Sequence, residues 1–331
     1  MRILWLGRSG NHLRTFLQPY TWRKKLAEKA DIIEYGIGWE RNWEQEIGKI
    51  TLEKDVSVLE EVFNPDLILI THFYWWKNLN KKKCPAVVIM GDPHGVPLLS
   101  LKFVNDNKLD ASFHRVRGIR PDGRLTYGIE SLFRGKVWDG HHLVFLPFSI
   151  PTHIFKDYGF ERIYDAAMVW AYRGYYPIRG YMAQEYRNGK LDDLKIFYSP
   201  RPTKTRGLPL ERDGKKVIIR ENYAEVLAQS KTMVFGSGKY YYPVMKYTEV
   251  MGCKTLALAN TPADAEELHF IPNENFVEVN VANCLDKLRY YVAHDEEREE
   301  IAQRGYETVM KYHTDEIRVN EFLTFVKEEL L

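Results

Sequence analysis

The sequence predicts an α/β protein with two Rossmann-like domains, each built on a parallel sheet. Short apolar runs alternate with helical patterns along the whole chain. Most of these runs are rich in Leu or β-branched residues without strict polar alternation, which is typical of strands buried on both faces of a parallel sheet. A proline-bracketed extended segment at residues 146–151 separates two successive series of such units. It therefore marks the domain boundary.

The first predicted domain, residues 1–150, alternates strands with helices. The predicted strands are residues 2–6, 31–35, 66–71, 86–90, 110–114 and 143–146. A helix is predicted over 52–63, because Asn64-Pro65 ends its periodic pattern. Glycines at the end of the first strand, in Gly7-Arg8-Ser9-Gly10-Asn11-His12, allow a sharp turn into a helix whose N-terminus favours anions. This spacing lacks the full dinucleotide fingerprint, so a plain strand-to-helix turn is an equal alternative.

The second predicted domain, residues 151–315, repeats the alternation. Its predicted strands are residues 165–170, 195–198, 216–219, 232–235, 255–259 and 276–279. Its predicted helices are residues 178–187, 223–229, 244–251, 283–293 and 296–312. The remaining segment, 314–331, has the apolar spacing of an amphipathic helix. Residues 316–331 are therefore predicted to form a C-terminal helix outside the second domain.

Composition excludes several classes of protein. The chain has 331 residues, 45% of them hydrophobic, which provides ample core and argues against a disordered protein. Its net charge is +2 and its Lys and Arg residues are scattered, so no basic band points to nucleic acid. The three cysteines form no Cys-x-x-Cys pair, and Cys253 and Cys284 are expected to be buried thiols. Without a signal peptide or an 18-residue apolar run, the sequence predicts a soluble cytoplasmic protein.

The most informative stretch is residues 246–259. It reads as a short helix carrying one carboxylate, Glu249, a stop at Gly252 and then a buried strand. The loop Gly236-Ser237-Gly238 precedes it. A lone Glu on such a helix is ordinarily a solvated residue, so its position after a glycine-rich loop late in an α/β chain is what suggests a binding role.

Two arginines open the second domain. Arg173 and Gly174 follow the predicted strand 165–170, and Arg179 lies in the first turn of the next predicted helix. Arginine offers forked donors and a helix start adds partial positive charge, so the pair suits a diphosphate. The alternative is two surface arginines.

Several motifs together resemble one family over residues 145–330. They are Pro147-Phe148-Ser149, Tyr164-Asp165, Tyr176-Pro177-x-Arg179, the run 223–231, Lys246-Tyr247-Thr248-Glu249-x-x-Gly252, Arg298-x-x-Ile301-Ala302-x-x-Gly305 and Tyr312-His313-Thr314. In this order and spacing, they resemble the GT-B glycosyltransferases, in the branch that includes spore-maturation-like and group 1 enzymes. The first half resembles that family only in its strand–helix rhythm and in Asp92-Pro93-His94.

The resemblance implies two Rossmann-like domains facing a cleft, with the C-terminal helix crossing back to the first domain. A nucleotide-diphospho-sugar, favoured to be a UDP-sugar, would bind mainly to the second domain. Glu249 would accept hydrogen bonds from the ribose, Lys246 would touch a phosphate, and Ser237 and Gly238 would border the diphosphate. The other implied donor-site residues are Gly10, Asn11, Arg173, Arg179, Asn222, Tyr223 and Tyr247.

A general base is predicted in the first domain. Asp92 and His94 follow the predicted strand 86–90, and ligands sit at the carboxyl ends of strands in open α/β sheets. Histidine suits deprotonation of an acceptor hydroxyl near neutral pH. The alternative is a turn capped by Asp92 with an exposed His94, and His72, after the strand 66–71, is the rival base.

The stereochemistry and the acceptor stay open. Many retaining GT-B enzymes carry a second Glu that is separated from the first by seven intervening residues, and the corresponding residue here, 241, is Tyr. No Asp-x-Asp motif occurs, so no metal and no cofactor beyond the donor are expected. The acceptor is a glycan, a small molecule or a modified nucleic acid. The alternatives are a sugar-nucleotide epimerase of the same fold and a non-catalytic nucleotide-binding or interaction protein.

Overall fold

The protein divides into two compact units. Unit 1 comprises Met1–Gly118, Tyr127–Pro147 and Glu316–Leu331, and unit 2 comprises Ile119–Thr126 and Phe148–Asp315. The computed structural model describes residues 1–8, 22–37, 53–71, 76–90, 97–170, 174–199, 211–212, 215–216 and 218–331.

Unit 1 contains a six-stranded sheet in the order β2-β1-β3-β4-β5-β6, and every neighbouring pair is parallel. The strands are β1 Arg2–Arg8, β2 Asp31–Ile37, β3 Leu67–Ile70, β4 Ala86–Ile89, β5 Ala111–His114 and β6 His142–Phe145. Strands β3, β4 and β5 are buried along their whole length. This burial on both faces explains why their sequences are continuous apolar runs.

Among the described residues, three α-helices of unit 1 precede the C-terminal helix: α1 Arg23–Ala27, α2 Val56–Phe63 and α3 Pro97–Asp106. Helix α2 shows how local sequence fixes an element. The Asp55 side chain accepts a hydrogen bond from the Ser57 backbone N–H at 3.0 Å, which caps the start. Asn64 adopts a left-handed conformation at the end, before Pro65.

The C-terminal helix, Asp315–Glu329, completes the core of unit 1. Its buried residues Val319, Phe322, Leu323 and Val326 belong to the same apolar cluster as strand residues of the first sheet. The Phe322 ring centroid lies 5.0 Å from that of Phe113. This helix therefore packs on the same face of the sheet as Leu26 of α1.

Unit 2 contains a five-stranded parallel sheet in the order β13-β12-β11-β7-β8. Its strands are β7 Tyr164–Met168, β8 Ile196–Tyr198, β11 Ser230–Val234, β12 Leu256–Ala259 and β13 Val277–Glu278. Its helices are α4 Pro177–Arg187, α5 Arg220–Ala228, α6 Lys246–Gly252, α7 Cys284–Ala293 and α8 Asp295–Tyr312. The short strands β9 Glu211–Arg212 and β10 Lys215–Lys216 form a separate antiparallel pair.

The predicted fold class is confirmed, since two parallel sheets with flanking helices are present. One predicted strand, residues 216–219, is wrong. Among the residues that the structure describes, Lys216 pairs with Glu211 of β9, and Ile219 is the buried residue that precedes α5. A short apolar run does not distinguish a buried strand from the packed start of a helix, which explains the error.

A buried polar cluster lies around Ser112 of β5 in the sheet of unit 1. The Ser112 hydroxyl lies 2.7 Å from Nε2 of both His114 and His141. Burial lowers the pKa of His114 to about 3, with smaller contributions from the neighbouring charges of His141 and Arg115. Desolvation also lowers the pKa of His141. His114 is therefore neutral in the folded protein at all but strongly acidic pH.

We expect this histidine to make the protein sensitive to acid. The unfolded chain binds a proton at His114 below its ordinary pKa of about 6.5, and the folded protein does not. The free energy of unfolding should therefore be unaffected by this group above that pH and fall by up to about 1.4 kcal/mol per pH unit below it. Urea unfolding of the wild type and of His114→Gln across this range measures the slope.

The exposed His294 supplies the control. His294→Gln should keep the wild-type slope, whereas a folded His114→Gln should have a shallower one. Equal slopes in the two variants would contradict the assignment.

Candidate functional site

The candidate site lies at the carboxyl edge of the sheet in unit 2. All five strands are parallel, so the residues that follow them meet at one edge, where ligands bind in open α/β sheets. Val169 follows β7, the loop of Gly236, Ser237 and Gly238 follows β11, and Asn260 follows β12.

Lys246 connects three elements at this edge. Its ammonium donates hydrogen bonds to the Val169 carbonyl at 3.1 Å and to the Tyr223 hydroxyl at 3.0 Å. The same nitrogen lies 4.7 Å from the centroid of the Tyr223 ring. Only 6% of Lys246 is exposed. The start of α6 is therefore fixed against the end of β7 and against α5, with a positive charge beneath the edge.

Glu249 lies one turn after Lys246 on α6 and is 6% exposed. Residues three apart share a face of a helix, so both side chains belong to the same side of α6. Within the part of the chain that the structure describes, no group donates a hydrogen bond to the Glu249 carboxylate. Burying a carboxylate without donors is unfavourable. Lys246 and Glu249 therefore place an ammonium and a carboxylate group on one side of α6.

Ser237 is held by Asn260. The Ser237 backbone N–H donates to Asn260 Oδ1 at 2.9 Å, and Asn260 Nδ2 donates to the Ser237 hydroxyl at 2.6 Å. This reciprocal pair fixes the loop after β11 to the end of β12.

Gly238 has φ +77°, a left-handed backbone conformation. A Cβ atom there would lie 2.6 Å from the Tyr175 carbonyl oxygen and 3.0 Å from the Tyr176 ring. Both the conformation and the close approach require glycine. The Gly-Ser-Gly sequence thus encodes one specific loop shape.

Arg179 holds the same loop through a hydrogen bond to its backbone. It lies in the first turn of α4, which begins at Pro177, and it is 4% exposed. Its guanidinium donates to the Gly236 carbonyl at 2.8 Å and lies 3.8 Å from the Tyr176 ring centroid. The alternative of a surface arginine is therefore wrong for Arg179.

Three further predicted residues lie among buried groups of unit 2. Tyr223 and Tyr247 are 1% and 0% exposed, and Asn222 on α5 is 8% exposed. The Tyr247 hydroxyl donates to the Asn260 backbone carbonyl, and burial raises the pKa of this phenol. Tyr247 thereby positions the residue that holds Ser237.

The structure thus brings candidates from the start of α4, from the loop after β11 and from α6 to one edge of one sheet. The remaining candidates, Gly10, Asn11, His72, Asp92, His94 and Arg173, lie outside the described residues. Asn260 was not predicted. A polar residue directly after a buried strand of a parallel sheet is the signal that identifies such a position.

The structure also bears on metal binding, on the cysteines and on membrane-spanning helices. Among the described residues, no group of three or more His, Cys, Asp or Glu side chains is arranged to hold a metal ion. Cys253 and Cys284 are buried free thiols, as predicted, and burial raises the pKa of Cys284 to about 11. Of the helices described, none is both long and apolar enough to cross a membrane.

Comparison with known proteins agrees with this architecture. Residues 204–324 match a family model described as glycosyl transferase-like. A sucrose-phosphate synthase from Thermosynechococcus elongatus is similar in structure, with a TM-score of 0.63 and 10% identity over 99% of this chain and 98% of that one. The chain has the GT-B fold. The resemblance inferred from the sequence is confirmed at the level of the fold.

Two other GT-B structures are similar. HepE from Anabaena, in complex with UDP-glucose, has a TM-score of 0.63 and 11% identity over 98% of this chain and 99% of its own. A glycosyltransferase from Rickettsia africae has a TM-score of 0.64 and 12% identity over 99% of this chain and 98% of its own. A comparison with curated protein sequences found no match.

We expect Gly238→Ala to destabilise the protein more than the same change at Gly159. Gly159 has φ +65°, but nothing lies within 4 Å of an added Cβ, so only the conformational cost of about 1–2 kcal/mol applies. At Gly238 the clash with the Tyr175 carbonyl adds an overpacking cost of about 1–3 kcal/mol. Urea unfolding measures both values, and equal losses would contradict the close approach.

Proposed function

We propose that the protein transfers a sugar from a nucleotide-diphospho-sugar, with a UDP-sugar favoured, to an acceptor hydroxyl. The observation that carries this proposal is the buried Glu249 carboxylate, which receives no hydrogen bond from any described residue and lies one turn from Lys246. A nucleoside diphosphate suits both side chains. The hydroxyls of its ribose can donate to the Glu249 carboxylate, and its negatively charged phosphates are attracted to the Lys246 ammonium. The glycosyl transferase-like match, which includes both residues, supports the proposal.

In this proposal each residue of the edge has a distinct role. Glu249 accepts hydrogen bonds from the ribose hydroxyls, and Lys246 provides positive charge near a phosphate. Ser237 and Gly238 border the diphosphate, where the lack of a Gly238 side chain permits close approach. Arg179 keeps the loop in shape through the Gly236 carbonyl. The second arginine proposed from sequence, Arg173, contributes to the diphosphate site.

The reaction forms a bond between the acceptor oxygen and the anomeric carbon of the sugar. The bond from that carbon to the diphosphate oxygen breaks, and the nucleoside diphosphate leaves with the electron pair. Stabilising the negative charge that develops on the diphosphate is the main contribution of unit 2. If the enzyme inverts the anomeric carbon, a base takes the acceptor proton, and His94 is proposed for this role.

One observation favours a second candidate function. Residue 241 is Tyr, at the position where many retaining enzymes of this fold carry a second Glu. The second candidate is therefore a nucleotide-binding protein without turnover. Release of labelled sugar or of nucleoside diphosphate from a labelled donor separates the two functions.

We expect Glu249→Ala to weaken UDP binding by about 1–3 kcal/mol, the scale of hydrogen bonds to a charged group. Isothermal titration calorimetry measures the change. Glu266→Ala is the matched control, because Glu266 is an exposed Glu of the same unit that has no role in the proposed site. Unchanged affinity in a folded Glu249 variant would refute the ribose assignment.

We expect bond cleavage to proceed without a divalent metal. The ground is the absence of Asp-x-Asp from the sequence, which leaves the diphosphate charge to basic residues and backbone N–H groups. Single-turnover rates should be the same in EDTA and in Mg²⁺. Loss of cleavage in EDTA, restored by Mg²⁺ or Mn²⁺, would show that the proposed metal-free mechanism does not apply.

We expect His94→Ala to lower kcat by about 10²–10⁴-fold, the usual effect of removing a general base. UDP affinity should stay unchanged, because Glu249 and Lys246 are proposed to hold the nucleotide. His72→Ala is the comparison. If the His94 variant is active and the His72 variant is inactive, the general base is His72. If both variants are active, either Asp92 is the base or the mechanism uses no protein base.

A further inference from the structure

The segment Ile119–Thr126, here called the arm, is part of unit 2 although the chain on both sides of it belongs to unit 1. The Arg120 backbone N–H donates to the Arg124 carbonyl at 2.9 Å, which closes the arm into a short hairpin. The chain enters the arm from Gly118 and leaves it to Tyr127. The arm is therefore a piece of unit 2 whose two ends continue into the other unit.

The arm holds the loop that follows β12. The Ile119 backbone N–H donates to Asp264 Oδ1 at 2.9 Å, and the Asp264 backbone N–H donates to the Ile119 carbonyl at 2.8 Å. Asp264 is 2% exposed and has φ +59°, in the left-handed region. A residue other than glycine keeps this conformation where surrounding contacts hold it. The two hydrogen bonds from the arm are contacts of this kind.

The arm also contacts the loop that follows β11. The Thr126 hydroxyl donates to the Tyr240 carbonyl at 3.0 Å, and the Arg120 guanidinium lies 4.2 Å from the Tyr241 ring centroid. Tyr241 has φ +56°, a conformation that is unusual for a bulky residue and costs free energy. The contacts of the arm therefore fall on two strained residues, Tyr241 in this loop and Asp264 in the loop after β12.

Tyr241 is joined through its backbone to the proposed donor site. Its N–H donates to the Gly238 carbonyl at 3.1 Å, which closes the turn that begins at Gly238. Its carbonyl accepts from the Ala263 N–H at 2.6 Å, which ties the loop after β11 to the loop after β12. The chain then continues to Lys246 at the start of α6. The conformation of Tyr241 therefore fixes the turn at Gly238 and the path of the chain into α6.

We propose that the arm is a conformational device that keeps Tyr241 in its strained conformation and thereby keeps the loop 236–242 in the observed shape. With the arm in place, its contacts offset the strain. With the arm displaced, the strain favours another conformation of the loop. Because both ends of the arm continue into unit 1, the device makes the loop in unit 2 responsive to unit 1. Insofar as this loop serves a nucleotide, the inference rests on the proposed function.

Hydrogen–deuterium exchange of the protein without ligand tests the inference. Thr126→Val keeps the shape of the side chain and removes its hydroxyl. Peptides containing Tyr241 should then exchange about two- to tenfold faster, as expected for one lost hydrogen bond. Arg124→Ala is the matched control, because Arg124 belongs to the arm but its side chain is 73% exposed. This variant should exchange as the wild type does.

Relief of the strain separates this device from an ordinary contact. Asparagine tolerates the left-handed region, so in Tyr241→Asn the loop should not depend on the arm. Thr126→Val should then leave the exchange of the loop unchanged, although the Tyr240 carbonyl that Thr126 contacts is still present. Equal acceleration with and without Tyr241→Asn, or no acceleration in either, would overturn the inference.

The affinity for UDP tests the link to the donor site. The double variant Arg120→Ala, Thr126→Val loses the two contacts with the loop after β11. A smaller fraction of molecules then has the loop in its binding shape, so the UDP affinity should fall about tenfold. Unchanged affinity beside faster exchange would overturn this link. Absence of UDP binding to the wild type would refute the proposed function alone, because the exchange without ligand does not depend on UDP.

Discussion

The site depends on one constraint, the parallel alignment of the strands in unit 2. Because all five strands point the same way, their carboxyl ends bring Val169, Gly236 and Asn260 to a single edge. Each of these residues accepts a hydrogen bond that fixes a neighbour. Lys246 donates to Val169, Arg179 donates to Gly236, and Tyr247 donates to the Asn260 carbonyl.

These contacts use protein carbonyls to satisfy buried donors before any ligand is bound. Lys246 and Arg179 are both less than a tenth exposed, and an ionised side chain at such depth is costly without partners. Their bonds to Val169 and Gly236 offset that cost, and the bond from Arg179 to Gly236 also fixes the loop after β11. A ligand bound at the proposed site would meet an edge that is already ordered, so less of its binding free energy would be spent on ordering the protein.

The sequence predicts much of this architecture because buried parallel strands are continuous apolar runs. Observed strand ends lie within two residues of the predicted ones, apart from residues 216–219. Glu249 and Lys246 could also be located from their pattern. The inclusion of the segment Ile119–Thr126 in unit 2 could not, since it depends on a hydrogen bond from Ile119 to Asp264, 145 residues away. Nor could the bond between Asn260 and Ser237, because strand order brings these loops together and local sequence does not encode it.

Hydrogen–deuterium exchange with and without saturating UDP tests the central claim most directly. Groups that a ligand holds should open less often, so their exchange slows. The account predicts slower exchange in peptides containing residues 236–238 and 246–249, and unchanged exchange in peptides from the buried strand β4 of unit 1. Binding of UDP that leaves the unit 2 peptides unchanged would contradict the proposed donor site.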